Sequence, residues 1–228
     1  GLHHLCAEGP RITQGPQLDG SYRRRDAAGR AVGAFCMIGA FSERTVVDQA
    51  SVVVIDPDIP LVQGTRLSGA SMIIAADLVP AKLAWARGFG ATHAVNAEGA
   101  ALTSEVLSLT DGVGVDHAFV CIDPPATLLP AFRATAKAGN VVITALTPDT
   151  VTEINIPPLE LLVTQKAIMG AVYGFASPRL QIPELLKLYR KGDLKLKELI
   201  TRTYALEEVN RGYADLDAGK NLRGVIVF

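Results

Sequence analysis

The 228 residues are 49% hydrophobic and carry 22 Lys and Arg against 23 Asp and Glu, for a formal charge of −1. A chain of this length and hydrophobic content buries a sizeable core in one large or two modest domains, and its balanced charge gives no bulk electrostatic reason to bind nucleic acid or an anionic membrane. No apolar run reaches the roughly 18 residues needed to cross a bilayer, and GLHHLCAEGP has neither the charged start nor the apolar centre of a signal peptide, so no membrane association is expected and a cytoplasmic protein is.

In chain order, residues 20–55 come first, rich in turn residues and in β-branched stretches such as TVV and SVVVI, and they read as antiparallel strands. From Met72 onward short apolar runs alternate with helical patterns, the pattern of β-α units that build a parallel sheet covered on both faces. The strands are expected at Met72 to Ala76, His93 to Asn96, Asp116 to Cys121, Asn140 to Leu146 and Ala167 to Val172. Between them LVPAKLAWARGFG reads as a helix ended by Gly90, ALTSEVLSLTDG as a second that stops near Gly112, and PATLLPAFRATAKAG as a third that closes at Gly139. The tail gives a helix from about Pro183, a strand near ITRTY, a helix from Leu206 to Ala218 and a last strand from Arg223 to Phe228.

The stretch SMIIAADLVPAK sets Asp77 at the end of an apolar strand and Lys82 on the first or second turn of the next helix. In a doubly wound nucleotide fold such an acid accepts hydrogen bonds from both adenosine ribose hydroxyls, because a carboxylate offers two acceptor oxygens at a suitable span. It would repel a phosphate on that ribose, so Asp77 favours NAD over NADP. Lys82 is placed to donate to the same ribose. The competing reading is that Asp77 caps the helix Pro80 helps to start, with Lys82 a solvated surface charge.

A glycine-rich phosphate loop is expected about 20 residues before such an acid, and none is there. VQGTRLSGAS looks like the last turns of the helix that follows that loop, and only IDPDIP separates it from SVVVI. No strand, loop and helix start fit between Ile55 and Val62. The sequence therefore reads as lacking residues near Pro60 and Leu61, and a sheet without its central first strand would expose the edges of the neighbouring strands.

The chain resembles the medium-chain, zinc-type alcohol dehydrogenases over nearly its whole length. The matching pieces are GLHHLC, AFSERTVVDQASVVVIDPDIPL, VQGTRLSGASMIIAADLVPAKLAWARGFGATHAVN, GAVYG and GKNLRGVIVF, in the family's order. LKLYRKGDLKLKELITRTYALEEVNRGYADLDAGKNLRGVIVF makes it particularly similar to an actinobacterial branch in which some members keep NAD(H) tightly bound. The resemblance implies an α/β protein, a Rossmann-like doubly wound parallel sheet plus a partial GroES-like β-rich catalytic domain. Residues 1–60 would be the partial catalytic domain, 61–172 the NAD-binding domain without its first strand and glycine loop, and 173–228 the return to the catalytic domain.

Carried over by position, Asp77 and Lys82 would hold the adenosine ribose, and Cys121, Ile122, Thr144, Ala145 and Leu146 would line the nicotinamide side. Tyr173 in GAVYG would pack near the nicotinamide, and Arg223 in NLRG would pair with the pyrophosphate, whose oxygens suit a guanidinium's planar donors. The alternatives are a surface arginine beside the last strand and, for Cys121 and Ile122, a buried strand end. Asp123 stands where the family tends to have glycine.

The three cysteines, Cys6, Cys36 and Cys121, are widely separated and odd in number, so neither a disulfide framework nor a self-contained zinc knuckle is encoded. Cys6 matches the last cysteine of the family's structural zinc lobe, whose other thiolates would lie upstream of Gly1; alone it cannot hold zinc. Adjacent His3 and His4 in an extended segment point to opposite sides. Cys36, His93 and His117 fit no ligand spacing, and the positions that supply the family's catalytic zinc and proton relay fall before residue 1 or around residue 60, so no catalytic residue is assigned.

The resemblance implies NAD-linked hydride transfer between a small alcohol and an aldehyde or ketone, with zinc in the intact protein. Other readings are a dinucleotide-binding oligomer without catalysis, a zinc-free quinone reductase of the same superfamily, and an S-adenosylmethionine methyltransferase, which also places an acid after its second strand but has no use for the strand-rich front or for GKNLRGVIVF. A homo-oligomer, dimer or tetramer, is expected because the Ala167 to Val172 strand would be a sheet edge.

Overall fold

The computed structural model describes residues 21–22, 24–32, 70–122, 124–145, 151–171 and 173–228. The chain divides into two units, Thr65–Gly174 and a second made of Gly1–Gly64 with Phe175–Phe228.

The Thr65–Gly174 unit is α/β with parallel strands. β3 (Ile74–Ala76) runs parallel to β4 (His93–Val95), with α1 (Pro80–Gly88) between them. After α2 (Gly99–Leu109) come β5 (Val115–Val120), α3 (Pro124–Ala134), β6 (Thr135–Ile143), α4 (Pro158–Thr164) and β7 (Ala167–Gly170), the three strands forming a parallel sheet in that order. In the second unit a hairpin pairs β1 (Arg24–Arg25) with β2 (Ala31–Val32), and the tail holds α5 (Pro178–Arg190), then β8 (Ile200–Tyr204), α6 (Val209–Asp217) and β9 (Arg223–Ile226), with β8 and β9 parallel.

Local chemistry explains most of these limits. Pro80 occupies the first helical position of α1, where its missing N–H costs nothing, and Gly90 ends the run at a φ of 109°. Asp26 caps the hairpin turn by accepting from the N–H of Ala28 and of Arg30, each at 2.9 Å, while Gly29 takes a φ of 78°. The rest of the strands expected in residues 20–55, from residue 33 on, and the helix end read in VQGTRLSGAS up to residue 69 lie outside the described residues.

Several boundaries differ from expectation, and three of them have an identifiable cause or consequence. The third helix ends at Ala134 instead of closing at Gly139, because the Thr135 hydroxyl bonds back to the Ala131 carbonyl at 2.7 Å and residues 135–139 enter β6 through an irregular register, Val115 opposite Thr135 but His117 opposite Asn140. The accommodation needs glycine just before β5 and within β6. A Cβ on Gly114 would stand 2.6 Å from the Ala134 carbonyl oxygen, and one on Gly139 would stand 2.9 Å from that of Asp116. The tail helix starts at Pro178, not Pro183; Pro178 again serves as the first helical residue, and Pro183 sits within the helix, where it removes one backbone donor without ending it. The strand expected to reach Leu146 leaves its ladder at Ile143.

The core of this unit lies where β5 and β6 meet α3. Phe132 and Val141 are fully buried with Leu128 and Val120, and Ile143, Ile156, Leu161 and Ile168 pack against them. Lys166 closes the end of α3, its ammonium donating to the Phe132 carbonyl at 2.7 Å and lying 4.6 Å from the centre of the Phe132 ring. Arg133 reaches Glu160 on α4 at 3.2 Å. Among the described residues β3 pairs only with β4, and β5 pairs only with β6. In the doubly wound strand order 3-2-1-4-5-6 the first strand stands between the second and the fourth. Among the described residues the unpaired edges of β3 and β5 are the two that such a strand would occupy.

Candidate functional site at the carboxyl ends of the parallel strands

Ladder pairing ends at Ala76 opposite Val95, and the chain turns out of the sheet at the next residue, Asp77. Its Oδ1 accepts the N–H of Val79 at 2.8 Å, which bends the chain toward Pro80. The capping alternative is thus met only in part, since the residue that precedes the helix is Val79 and no side chain caps it. Oδ2 faces Lys82, whose Nζ is 3.9 Å away. Lys82 lies in the first turn of α1, at the positive end of the helix, where a cation is disfavoured. The Asp77 carboxylate offsets that placement.

Two bonds across the β3–β4 ends hold Asp77 in place. Its N–H donates to the Val95 carbonyl at 3.3 Å, and its carbonyl accepts from the Asn96 side-chain amide at 2.8 Å. At the amino ends of the same strands the Thr92 hydroxyl accepts the Ile73 N–H at 2.8 Å and donates to the Ile73 carbonyl at 3.0 Å. Asn96 and Thr92 were not singled out by the sequence, because each acts on main-chain groups 19 residues away.

At the carboxyl ends of β5 and β6 the structure brings Cys121, Ile122, Thr144 and Ala145 together. The N–H groups of Thr144 and Ala145 donate to the Val120 carbonyl at 3.0 and 3.3 Å, and the Thr144 hydroxyl donates to the Cys121 sulfur at 3.4 Å. The buried-strand-end alternative for Cys121 and Ile122 is overturned: Cys121 is exposed, and Ile122 is 60% exposed. Pairing stops at Val120 opposite Ile143, so both side chains belong to chain that has already left the ladder.

Arg223 is the first residue of β9, opposite Ile200, and is exposed. Tyr173 begins a short 3-10 turn, Tyr173–Phe175. Cys6, His3, His4, Cys36, Asp123 and Leu146, the Tyr173 side chain and the junction at Pro60 and Leu61 lie outside the described residues. His93 and His117 do not converge on a common partner: His93 Nδ1 is 2.9 Å from the Thr92 hydroxyl, and His117 Nδ1 is 3.4 Å from the Asn140 amide. Among the described residues no group of three or more His, Cys, Asp or Glu side chains could hold a metal ion, and no helix is long and apolar enough to cross a membrane.

Comparison with known proteins gives these features a context. The family described as zinc-binding dehydrogenase matches residues 60–191. The NDMA-dependent alcohol dehydrogenase of Amycolatopsis methanolica is 35% identical over 271 aligned positions, which take in 100% of this chain and 72% of that protein. Alcohol dehydrogenase B of Mycobacterium tuberculosis is 31% identical over 272 positions, covering 99% of this chain and 72% of its own length. Among solved structures, an alcohol dehydrogenase zinc-binding domain protein from Burkholderia ambifaria aligns with a TM-score of 0.82 and 24% identity, over 99% of this chain and 75% of that one, a likeness that speaks for the fold. An alignment of 271 positions that includes all 228 residues must contain positions with no counterpart here. They fall inside the chain.

Proposed function

The chain belongs to the zinc-binding dehydrogenase family, and from that premise we propose that it binds NAD and serves hydride transfer between a small alcohol and an aldehyde or ketone. Its relatives carry alcohol dehydrogenase names, which support an oxidoreductase. The observation that carries the finer reading is Asp77, a carboxylate at the carboxyl end of a parallel strand with Oδ2 turned to Lys82.

The residues present fit a dinucleotide. Oδ1 is engaged by the Val79 N–H yet keeps a second lone pair, and Oδ2 has only a 3.9 Å ion pair, so the carboxylate can still accept from a ribose diol while Lys82 donates to it. A ribose phosphate would meet the carboxylate's charge, which favours NAD over NADP. Cys121, Ile122, Thr144 and Ala145 would hold the nicotinamide end, with Leu146 and Tyr173 beside them, and Arg223 would pair with the pyrophosphate. When bound, the cofactor supplies the hydride acceptor. The protein's share is to hold and orient it.

The described residues do not fit a zinc site. Zinc dependence is a proposal for the full-length protein, tested by metal analysis. We also propose a homo-oligomer that uses the edge of β7 left unpaired among the described residues, which size measurement in solution tests. The activity itself is tested by NADH formation from short alcohols with the full-length protein: alcohol-dependent NADH is expected, whereas NADH binding without turnover would leave a dinucleotide-binding protein and remove the dehydrogenase reading.

A further inference from the structure

β8 and β9 do not pair in simple register. Ile200 stands opposite Arg223 and Arg202 opposite Gly224, so the ladder slips by one residue around Thr201. Side chains reinforce this register on both sides of Arg223. The Thr201 hydroxyl accepts the N–H of Leu222 at 2.8 Å, immediately before Arg223.

Against Gly224, the residue after Arg223, packs a buried tyrosine, Tyr204. The Tyr204 ring is held between two glycines: a Cβ on Gly224 would stand 2.7 Å from its Cε2, and one on Gly212 of α6 would stand 3.5 Å from its Cδ2. The Tyr204 hydroxyl donates to Asp215 Oδ2 at 3.0 Å and accepts from the Asn221 amide at 2.9 Å. Asp215, buried on α6, also takes the Arg202 guanidinium at 2.6 Å and has the Lys220 ammonium 3.5 Å from its other oxygen. The Tyr204 hydroxyl first, and Arg202 and Lys220 with it, hold the Asp215 carboxyl below the ordinary carboxylate range against the burial that would raise it.

Asn221 is buried, and its side-chain oxygen has no hydrogen-bond partner. An interior chosen for stability alone would not leave that acceptor unpaired, because its desolvation is uncompensated. What Asn221 does accomplish is to tie the residue two before Arg223 to the Tyr204 hydroxyl. Arg223 itself is exposed, and among the described residues its guanidinium has no hydrogen-bonding or ion-pair partner.

We propose that Tyr204, Asp215 and Asn221 act as positioning residues that fix β9 on α6 and so present the guanidinium of Arg223 to a diphosphate. The inference rests on the reading of Arg223 as the pyrophosphate partner. It explains why the segment GKNLRG combines an amide, an arginine and a glycine at these spacings: Asn221 bonds the tyrosine, Arg223 meets the ligand and Gly224 leaves room for the ring.

The test compares ADP-ribose, which carries the diphosphate, with adenosine, which does not, by calorimetric titration of the full-length protein and its Arg223→Ala, Tyr204→Phe and Thr201→Val variants. Arg223→Ala is expected to weaken ADP-ribose by about 10-fold or more and leave adenosine unchanged, the loss of a charge-assisted contact. Tyr204→Phe, which keeps the ring and removes the hydroxyl, is expected to give the same selective loss at about 3- to 10-fold. Thr201→Val changes an exposed residue and keeps the test open if Tyr204→Phe fails to fold. If Arg223→Ala loses the selectivity and the other two only lower the melting temperature, the network is structural and the proposal is overturned, with the dinucleotide reading intact. If Arg223→Ala leaves the ratio of affinities unchanged, the pyrophosphate role of Arg223 falls and the proposal falls with it.

Discussion

The two parallel ladders of the Thr65–Gly174 unit are built to different standards. β5, β6 and β7 pack against α3 around a fully buried Phe132, and Lys166 and the Arg133–Glu160 pair tie the outer elements to that core. β3 and β4 are short, each three residues long, and among the described residues the buried side chains near them are few: Val95 in the strand, Leu83 on α1 and Val106 on α2. This smaller ladder is held instead by polar ties at its two ends, Thr92 at one and Asn96 at the other. Asp77, the residue that carries the functional reading, belongs to this polar-stapled half. The comparison teaches that a binding carboxylate can be positioned by main-chain hydrogen bonds where a hydrophobic core is thin.

The contrast can be broken most severely from the packed side. Phe132→Ala should lower stability by about 3–5 kcal/mol, the range for a large aromatic removed from a well-packed core, and chemical denaturation would measure it; a loss under about 1 kcal/mol would mean that the core at β5 and β6 is not the stabilising centre. From the other side, Asp77→Ala should cost about 1 kcal/mol of stability through the lost Val79 bond and weaken NADH by about 10- to 100-fold, since a hydrogen bond to a charged group contributes about 1.5–3 kcal/mol. Titration by NADH fluorescence checks this, and an unaltered affinity would detach Asp77 from the ribose. The smallest effect is expected at the staple: Thr92→Val should cost about 1 kcal/mol and raise amide exchange in β3 and β4 while β5–β7 stay protected. Equal acceleration in both ladders would show that they do not behave as separately stabilised parts.

Much of this architecture was legible in the sequence because its signals are local. The alternation of apolar runs with helical stretches from Met72 onward predicts the parallel strands, and Pro80 and Gly90 bracket α1 by their backbone preferences alone. The end of α3 was not legible. ATAKAG continues a helical pattern, and what stops the helix is the back-bond from Thr135 together with Ala138 at a φ of 60° and the close approach of β5 to Gly139, none of which leaves a mark in composition. Pro183 misled for the opposite reason, since proline inside a helix is tolerated where only one donor is lost.

At the site the same division holds. Asp77 and Lys82 could be found because an acid after a strand and a cation one helical turn further on are close in sequence. Asn96, Tyr204, Asp215 and Asn221 could not, because each acts across 11 to 19 residues on a partner that only the fold brings near. The absent phosphate loop was legible as a gap in the motif, and the segment where it would lie is outside the described residues.

The central claim is that Asp77 selects an unphosphorylated adenosine ribose. Parallel titrations of the full-length protein with NADH and NADPH test it most directly: NADH should bind about 10- to 100-fold more tightly, the difference expected when a carboxylate exchanges a hydrogen-bonded diol for a facing phosphate. Equal affinities, or a preference for NADPH, would contradict it.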